Sequence, residues 1–155
     1  MAKHKYAISG LDPDRTAKAV GKDVKASPKH IREICNVIRG MNLQKAKRYL
    51  ENVVDKKSAV PFKRHKGKQA HRKGLDRFNW YAGRYPIKAA REVLLVIENA
   101  ENNAEYKGLD IDRIRIIHAM THRAPVVKKF IPRAFRRSTP YYKRLAHIEI
   151  VLQEE

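Results

Sequence analysis

The chain has 155 residues, of which 35 are Lys or Arg and 16 are Asp or Glu, so its formal net charge is +19. The length fits one domain with a hydrophobic core, and the 43% hydrophobic content argues against disorder. No apolar run approaches the ~20 residues of a membrane span, the N-terminus lacks the apolar stretch of a secretory signal, and the single cysteine, Cys35, cannot form an internal disulfide. Because such a charge repels itself, we expect a cytoplasmic protein held against a polyanion, with nucleic acid as the first candidate and a membrane surface as the second.

The N-terminal part of the chain predicts a polar segment followed by one strand. Residues 1–15 are polar and contain an Asp-Pro-Asp turn sequence at 12–14. Residues 16–26 are compatible with an extended strand, although Gly21 interrupts their alternation. We therefore expect a single strand ahead of the first helix.

Two amphipathic helices are predicted next. Ser27 followed by Pro28 is a helix start, because a hydroxyl side chain caps free amides and proline fits the first helical position. Gly40 suits the left-handed residue that ends a helix, and Asn42 is a cap for the second helix. The apolar stripes at helical spacing consist of Ile31, Ile34, Cys35 and Ile38 in the first helix and Leu43, Ala46, Tyr49, Leu50, Val53 and Val54 in the second.

A basic segment, residues 59–86 and here termed the insertion, separates the second and third helices and shows no hydrophobic period. It contains eight Lys or Arg and a single acid, Asp76. A loop longer than about 12–15 residues inside a compact domain is unusual and tends to be functional. Its aromatic residues Trp80 and Tyr81 fit either packing over the helix ends or stacking on nucleobases, and both interpretations stay open.

A third, longer helix and two strands complete the predicted elements. Pro86 opens this helix and Gly108 ends it, and the hydrophobic period then changes to two, which indicates half-buried strands. The expected buried residues are Ile87, Ala90, Val93, Leu94, Ile97 and Ala104 in the helix, Ile114, Ile116, His118 and Met120 in the first strand, and Ala146, Ile148, Ile150 and Leu152 in the second.

Pairing these two strands in antiparallel register predicts one long hairpin. If Ile114 faces Leu152, the apolar faces of the two strands match and the midpoint of the hairpin falls at Arg133. The distal part, residues 120–145 and here termed the arm, would then project roughly 40 Å from the sheet at about 3.3 Å per residue.

The predicted fold class is α+β, with residues 1–155 forming a single domain. Three helices pack on one face of a small three-stranded antiparallel sheet in the order β-α-α-α-β-β, and a long β-hairpin protrudes from it. The insertion and the arm are interpreted as additions that this core does not need.

The composition of the arm predicts contact with RNA. Residues 123–144 contain eight Lys or Arg and no acid, so the ribbon needs the counter-charge that phosphates supply with release of counterions. Aromatic side chains stack on unpaired bases, which are typical of RNA. The alternatives are a flexible basic loop and a solvated insertion. The predicted stacking residues are Phe130, Phe135, Tyr141 and Tyr142, and the predicted RNA-binding cations are Arg123, Lys128, Lys129, Arg133, Arg136, Arg137, Lys143 and Arg144 in the arm and Lys63, Arg64, Lys66, Lys68, Arg72 and Lys73 in the insertion.

No catalytic or metal-binding motif stands out, so we expect no cofactor, no metal and no small-molecule substrate. His65 and His71 lack the further ligands of a zinc site. Asp110 and Asp112 are interpreted as turn residues at a strand start rather than as metal ligands. Cys35 lies on an apolar helix face, which fits a core residue better than a nucleophile.

Four segments of the chain are distinctive when taken together: SPKHIREICNVIRGMNLQKAKRYL (27–50), NAENNAEYKGLDIDRIRI (99–116), IPRAFRR (131–137) and AHIEIVL (146–152). In this order and spacing they resemble the universal large-subunit ribosomal protein family L-twenty-two, called L-seventeen in eukaryotes. The stretches VPFKRHKGKQAHRKG (60–74) and GRYP (83–86) are similar to an insertion of archaeal and eukaryotic members. Because the chain ends just after its last strand, without the tail common in eukaryotes, we expect an archaeal source.

The resemblance implies a structural constituent of the large ribosomal subunit and not an enzyme. Such a protein would bind several domains of the large-subunit rRNA beside neighbouring ribosomal proteins, and it would support subunit assembly and translation. The globular part would lie near the exit of the nascent-chain tunnel, and the arm would run inward along the tunnel wall. Its tip, at Pro132, Arg133 and Ala134, would meet the nascent polypeptide. Relatives often have glycine after the phenylalanine of this tip, where this chain has Arg136.

Two other function classes remain as alternatives. A DNA-compacting module would place the arm in a duplex groove, but the aromatic content of both basic segments argues against it. An RNA-cleaving enzyme would need clustered acids or histidines, which the sequence does not show. The leading hypothesis is therefore a structural RNA-binding component of the ribosome.

Overall fold

A computed structural model describes residues 4–155 and confirms the α+β class. Three helices cover one face of a three-stranded antiparallel sheet, and none of the helices in the described part is long and apolar enough to cross a bilayer. The first three residues of the predicted polar segment lie outside the described part. In chain order the elements are β1 (Thr16–Val24), α1 (Pro28–Ile38), α2 (Leu43–Val54), β2 (Val60–Pro61), β3 (Gly83–Arg84), α3 (Ile87–Tyr106), β4 (Ile114–Val127), β5 (Phe130–Pro132), β6 (Ser138–Pro140) and β7 (Lys143–Glu154).

The last strand in sequence, β7, is the central strand of the sheet, with β1 on one side and β4 on the other. The predicted strand before the first helix is therefore confirmed as β1. Gly21 interrupts the alternation of this strand for a steric reason, since a Cβ at this position would lie 2.7 Å from Cγ2 of Val96 on α3. The missing side chain lets the sheet and α3 approach closely, and the β1–β7 register is irregular between Gly21 and Val24.

The helix boundaries follow the local signals in the sequence. The side chain of Asn42 accepts a hydrogen bond from the backbone N–H of Gln44 at 3.0 Å, which confirms the cap of α2. Gly40 follows α1 with a φ of +80°, where glycine avoids the strain that a side chain would add. Ser27 precedes α1 as predicted, but its hydroxyl makes no capping hydrogen bond, so Pro28 is the residue that favours this start.

The hairpin register differs by two residues from the predicted one. Ile114 lies opposite Glu154, and Leu152 pairs instead with Ile116. A shift of two residues keeps the same side chains on the same face, so the apolar pattern does not distinguish these registers. Two further irregularities in the β4–β7 pairing displace the strands. The closing turn therefore runs from Arg133 to Arg137, so Arg133 lies at its start and not, as predicted, at its centre.

One of these irregularities, between Ile116 and His118, reverses the alternation of β4. Beyond it Ala119 is fully buried, whereas Met120 is 37% exposed. His118 and Glu149 both lie on the sheet face away from the helices, where Nε2 of His118 is 3.7 Å from Oε2 of Glu149. The prediction that His118 and Met120 share the buried face is therefore wrong, because one extra residue in a strand turns the following side chains over.

The insertion contributes to the hydrophobic core, so the prediction that the core does not need it is also wrong. Val60 and Phe62 belong to the main core cluster, and Leu75 and Ala82 are buried as well. The short strands β2 and β3 pair across the ends of the insertion and hold these apolar residues in place. The buried residues of the insertion do not recur at a helical or strand spacing, so the sequence pattern could not predict their packing.

Candidate nucleic-acid interface

The arm carries an unbroken exposed surface. Every residue from 125 to 144 is exposed, and β5 and β6 continue the ribbon beyond the sheet. Within residues 4–155, none of the eight cations at positions 123–144 forms an ion pair. The like charges of the arm are therefore not neutralised by the protein itself, as expected for a surface that meets a polyanion.

The turn of the arm lies slightly further along the chain than the predicted tip. Pro132 still belongs to β5 and pairs with Ser138, and the N–H of Arg133 donates to the carbonyl of Arg137 at 2.8 Å. Residues 134–136 close the turn, with φ values of +54° and +55° at its second and third positions. The geometric tip is therefore centred on Phe135, whose side chain is 94% exposed.

The four predicted stacking residues of the arm have different environments. Phe130 and Tyr142 pack edge to face with ring centroids 6.0 Å apart, so they stabilise each other across the ribbon. Tyr141 is 54% exposed, and its backbone N–H donates to the carbonyl of Lys129. Phe135 stands at the turn and offers the most open ring of the four.

The six predicted cations of the insertion are all exposed, and a buried carboxylate orders the chain that carries the first two. Oε1 and Oε2 of Glu33, a residue only 1% exposed, accept hydrogen bonds from the backbone N–H groups of Lys63, Arg64 and His65 at 3.2, 3.1 and 2.8 Å. Sequence reasoning missed Glu33, because its partners lie about 30 residues away. Because the buried Glu33 holds the backbone of this stretch, the basic side chains of Lys63 and Arg64 point toward solvent.

Trp80 packs within the insertion. Its indole N–H donates to the carbonyl of Phe62 at 3.0 Å, and its ring stacks on Tyr81 with centroids 5.1 Å apart. Tyr81 is 49% exposed, so it keeps an accessible surface. No hydrogen bond or ion pair joins the insertion to the arm in the described part of the chain, and the predicted cations therefore form two separate groups.

A second buried carboxylate, also missed by sequence reasoning, lies on the sheet face away from the helices. Glu149 on β7 is 1% exposed. Its Oε1 lies 2.8 Å from Nε2 of His4 and 3.2 Å from Nε2 of His122. Its Oε2 accepts a hydrogen bond from the backbone N–H of Ala7 at 3.0 Å. Burial raises the pKa of this carboxyl, but the hydrogen bonds from Ala7 and His4, together with the nearby His122 imidazole, outweigh burial and leave the pKa below its ordinary value. Glu149 thereby attaches the N-terminal segment to the sheet.

The remaining candidates fit structural roles. Asp110 accepts from the N–H of Asp112 at 3.1 Å and pairs with Arg113 at 3.4 Å, which confirms a turn at the start of β4. Burial raises the pKa of the Cys35 thiol to about 12, so this cysteine is an inert core residue. Residues 4–155 contain no group of three or more His, Cys, Asp or Glu side chains placed to hold a metal ion.

Comparison with known families matches residues 19–153 to the family described as Ribosomal protein L22p/L17e. The chain belongs to this family. The match covers most of β1, all three helices, the insertion and the arm. Membership of L22p/L17e confirms the resemblance seen in the four sequence segments, and it excludes an enzyme, because members of this family are structural components.

Curated relatives of this L22p/L17e member are similar over nearly the whole chain. Proteins named large ribosomal subunit protein uL22 are 54% identical in Methanopyrus kandleri (93% of this chain and 90% of the relative) and 48% identical in Archaeoglobus fulgidus (99% and 97%). The protein of the same name in Aeropyrum pernix is 44% identical (99% of each chain). The chain is therefore an archaeal-type L22p/L17e protein, as its insertion predicted.

Proposed function

We propose that the protein is a structural constituent of the large subunit of the cytoplasmic ribosome and that it binds large-subunit rRNA through the arm and the insertion. Family membership and the names of the archaeal relatives support the place in the large subunit. The two separate basic surfaces on one chain support contacts at several rRNA domains. In this role the protein supports subunit assembly and translation beside neighbouring ribosomal proteins.

The observation that carries the RNA-binding part of the proposal is the unpaired charge of the arm. Eight cations and four aromatic side chains lie on a ribbon whose residues 125–144 are all exposed. An isolated two-stranded ribbon has little stability of its own in water, and like-charge repulsion lowers it further. Binding to phosphates removes that repulsion and releases counterions, so the arm gains order where it meets RNA.

The finer placement within the subunit is part of the same proposal. The globular part would lie near the exit of the polypeptide tunnel on the outer face, and the arm would follow the tunnel wall inward. The predicted tip, Pro132, Arg133 and Ala134, lies next to or within the turn, so the nascent chain would pass these residues and Phe135. A narrow ribbon with short side chains at Ala134 and Pro132 suits a confined wall.

A competition experiment tests the proposal. Fragments of large-subunit rRNA and duplex DNA of equal length compete for the full chain at several salt concentrations, and we expect the rRNA to bind more tightly with a different salt slope. Co-sedimentation with large subunits through a moderate salt wash is the matching measurement in the assembled particle. Equal affinity and identical slopes for the two nucleic acids would support the DNA-binding alternative instead.

A further inference from the structure

The insertion contains a cluster of aromatic rings separate from the stacking residues predicted in the arm. The indole of Trp80 and the ring of Tyr81 are nearly parallel, with an interplanar angle of 21° and centroids 5.1 Å apart. The ring of His71 lies 4.8 Å from that of Tyr81 at 58°. These three rings, here termed the aromatic cluster, extend over the exposed side of the insertion, where His71 is exposed and Tyr81 is 49% exposed.

Basic side chains surround the aromatic cluster. The ammonium groups of Lys63 and Lys66 lie 5.9 and 5.7 Å from the centroid of Trp80. Arg72 follows His71 in the chain, and its guanidinium lies 5.4 Å from the centroid of Tyr85, which is outside the cluster. None of these three cations forms an ion pair within residues 4–155. Flat rings bordered by free cations favour a ligand that is both planar and anionic, and they disfavour a cationic peptide.

The aromatic cluster is held in place by the fold. The hydrogen bond from the indole of Trp80 to Phe62 links it to a core residue, and the N–H of Arg72 donates to the carbonyl of Tyr81 at 3.0 Å. Glu33 fixes the backbone of the stretch that begins at Lys63. Because these contacts are made within the chain itself, binding here costs little further ordering, in contrast to binding along the arm.

We infer that the aromatic cluster is a binding site for an unpaired RNA base, which stacks on Tyr81 while Lys63 and Lys66 contact the adjoining phosphates. The inference rests on the proposed RNA-binding function and adds a single-stranded class of ligand to it. Duplex RNA does not fit, because its bases are already stacked on one another and present no free face. Stacking of a base on an aromatic side chain needs no particular sequence, so the site selects for an unpaired nucleotide.

The single tryptophan of the chain, Trp80, provides a local signal for this site. The full chain is titrated with a short oligoadenylate and with duplex RNA of the same length at one salt concentration, and the fluorescence of Trp80 is followed. We expect the oligoadenylate to change this fluorescence and the duplex to change it far less. Tyr81→Ala should weaken the binding seen by Trp80 by about 5- to 150-fold, which corresponds to the loss of one base–aromatic stack.

Two variants control for the loss of a tyrosine. Tyr81→Phe keeps the ring and should bind the oligoadenylate like the wild type. Tyr106→Ala removes a tyrosine that is 93% exposed at the end of α3, and it should also leave the titration unchanged. The inference is wrong if Tyr81→Ala behaves like Tyr106→Ala, or if duplex RNA changes the Trp80 signal as strongly as the oligoadenylate.

Failure of this inference is distinguishable from failure of the proposed function. If Tyr81→Ala has no effect but the full chain still binds large-subunit rRNA fragments, the aromatic cluster is not a base site and the proposed function stands. If the wild-type chain binds neither the oligoadenylate nor the rRNA fragments, both are wrong.

Discussion

Two buried glutamates hold the irregular parts of the molecule to its core. Glu33 on α1 accepts three backbone N–H groups from the insertion, and Glu149 on β7 holds the N-terminal segment through His4 and Ala7. A buried carboxylate is stable only where hydrogen bonds replace its lost hydration, and each site supplies them. Both residues therefore stabilise the structure in a basic protein whose acids are few.

The role of Glu149 predicts a pH-dependent stability. Its pKa is depressed below the ordinary value of 4.5 in the folded state, so its stabilising effect is fully present above about pH 4.5 and is lost as the pH falls through the folded pKa. Glu149→Gln should lower the free energy of unfolding by about 1–3 kcal/mol at pH 7, as expected for lost hydrogen bonds to a charged group. Urea unfolding at pH 7 and at lower pH measures the difference.

A matched control for this prediction is Glu98→Gln, which alters an exposed glutamate on α3. This variant should differ little from the wild type at either pH. The interpretation fails if the stability difference caused by Glu149→Gln stays constant from pH 7 to well below pH 4.5, since a protonated glutamate resembles glutamine.

At the scale of elements, the turn of the arm shows a conflict between sequence and backbone geometry. Phe135 and Arg136 both adopt left-handed φ values, of +54° and +55°. This conformation costs a residue with a side chain about 1–2 kcal/mol, whereas glycine adopts it freely. A glycine at position 136 would therefore fit this turn better than Arg136.

Arg136→Gly should relieve this strain in the arm, and Arg136→Ala is the control because it removes the same charge without freeing the backbone. We expect the turn to open less often in the glycine variant, by about five-fold for each 1 kcal/mol relieved. Hydrogen exchange of the Arg133 amide, which donates to the carbonyl of Arg137 across the turn, reports the opening. Equal exchange rates in the two variants would show that the turn carries no such strain.

At the scale of the whole molecule, charge is unevenly distributed. Residues 123–144 contain eight Lys or Arg and no acid, whereas residues 92–106 on α3 contain four acids and no Lys or Arg. The arm and α3 are separate elements, so the protein has a strongly basic end and an acidic helix. Long-range attraction would therefore turn the basic segments of the molecule, and not the acidic part of α3, toward a polyanion.

Removal of one arm cation should lower the salt dependence of rRNA binding. Lys128→Ala is expected to reduce the slope of log affinity against log salt by about 0.7–0.9 if Lys128 contacts one phosphate. Lys57→Ala removes the same charge from an exposed lysine paired with Asp55, and it should leave the slope unchanged. If neither Lys128→Ala nor substitution of the other arm cations alters the slope, the arm is not the RNA contact.

Local signals in the sequence determined the helix boundaries, the α+β class and the basic character of both segments. Asn42 caps α2 through a hydrogen bond from Gln44, two residues away, and Gly40 follows α1 with a left-handed torsion that its own lack of a side chain permits. Charge and the composition of the arm likewise need no partner within the chain. The chemistry of the candidate interface, though not its geometry, was therefore predictable.

Only the tertiary structure decided the features that depend on residues far apart in the chain. The register of β4 against β7 differs by two residues from the predicted one, and the sequence could not distinguish the two because both pairings bury the same apolar face. The reversal of alternation at His118 follows from a bulge that has no sequence signal. Glu33 and Glu149 become structural residues only when the insertion and the N-terminal segment reach them. In the aromatic cluster, Trp80 and Tyr81 are neighbours in the sequence, but the ring of His71 reaches Tyr81 only because an isolated β-bridge joins His71 to Ala82.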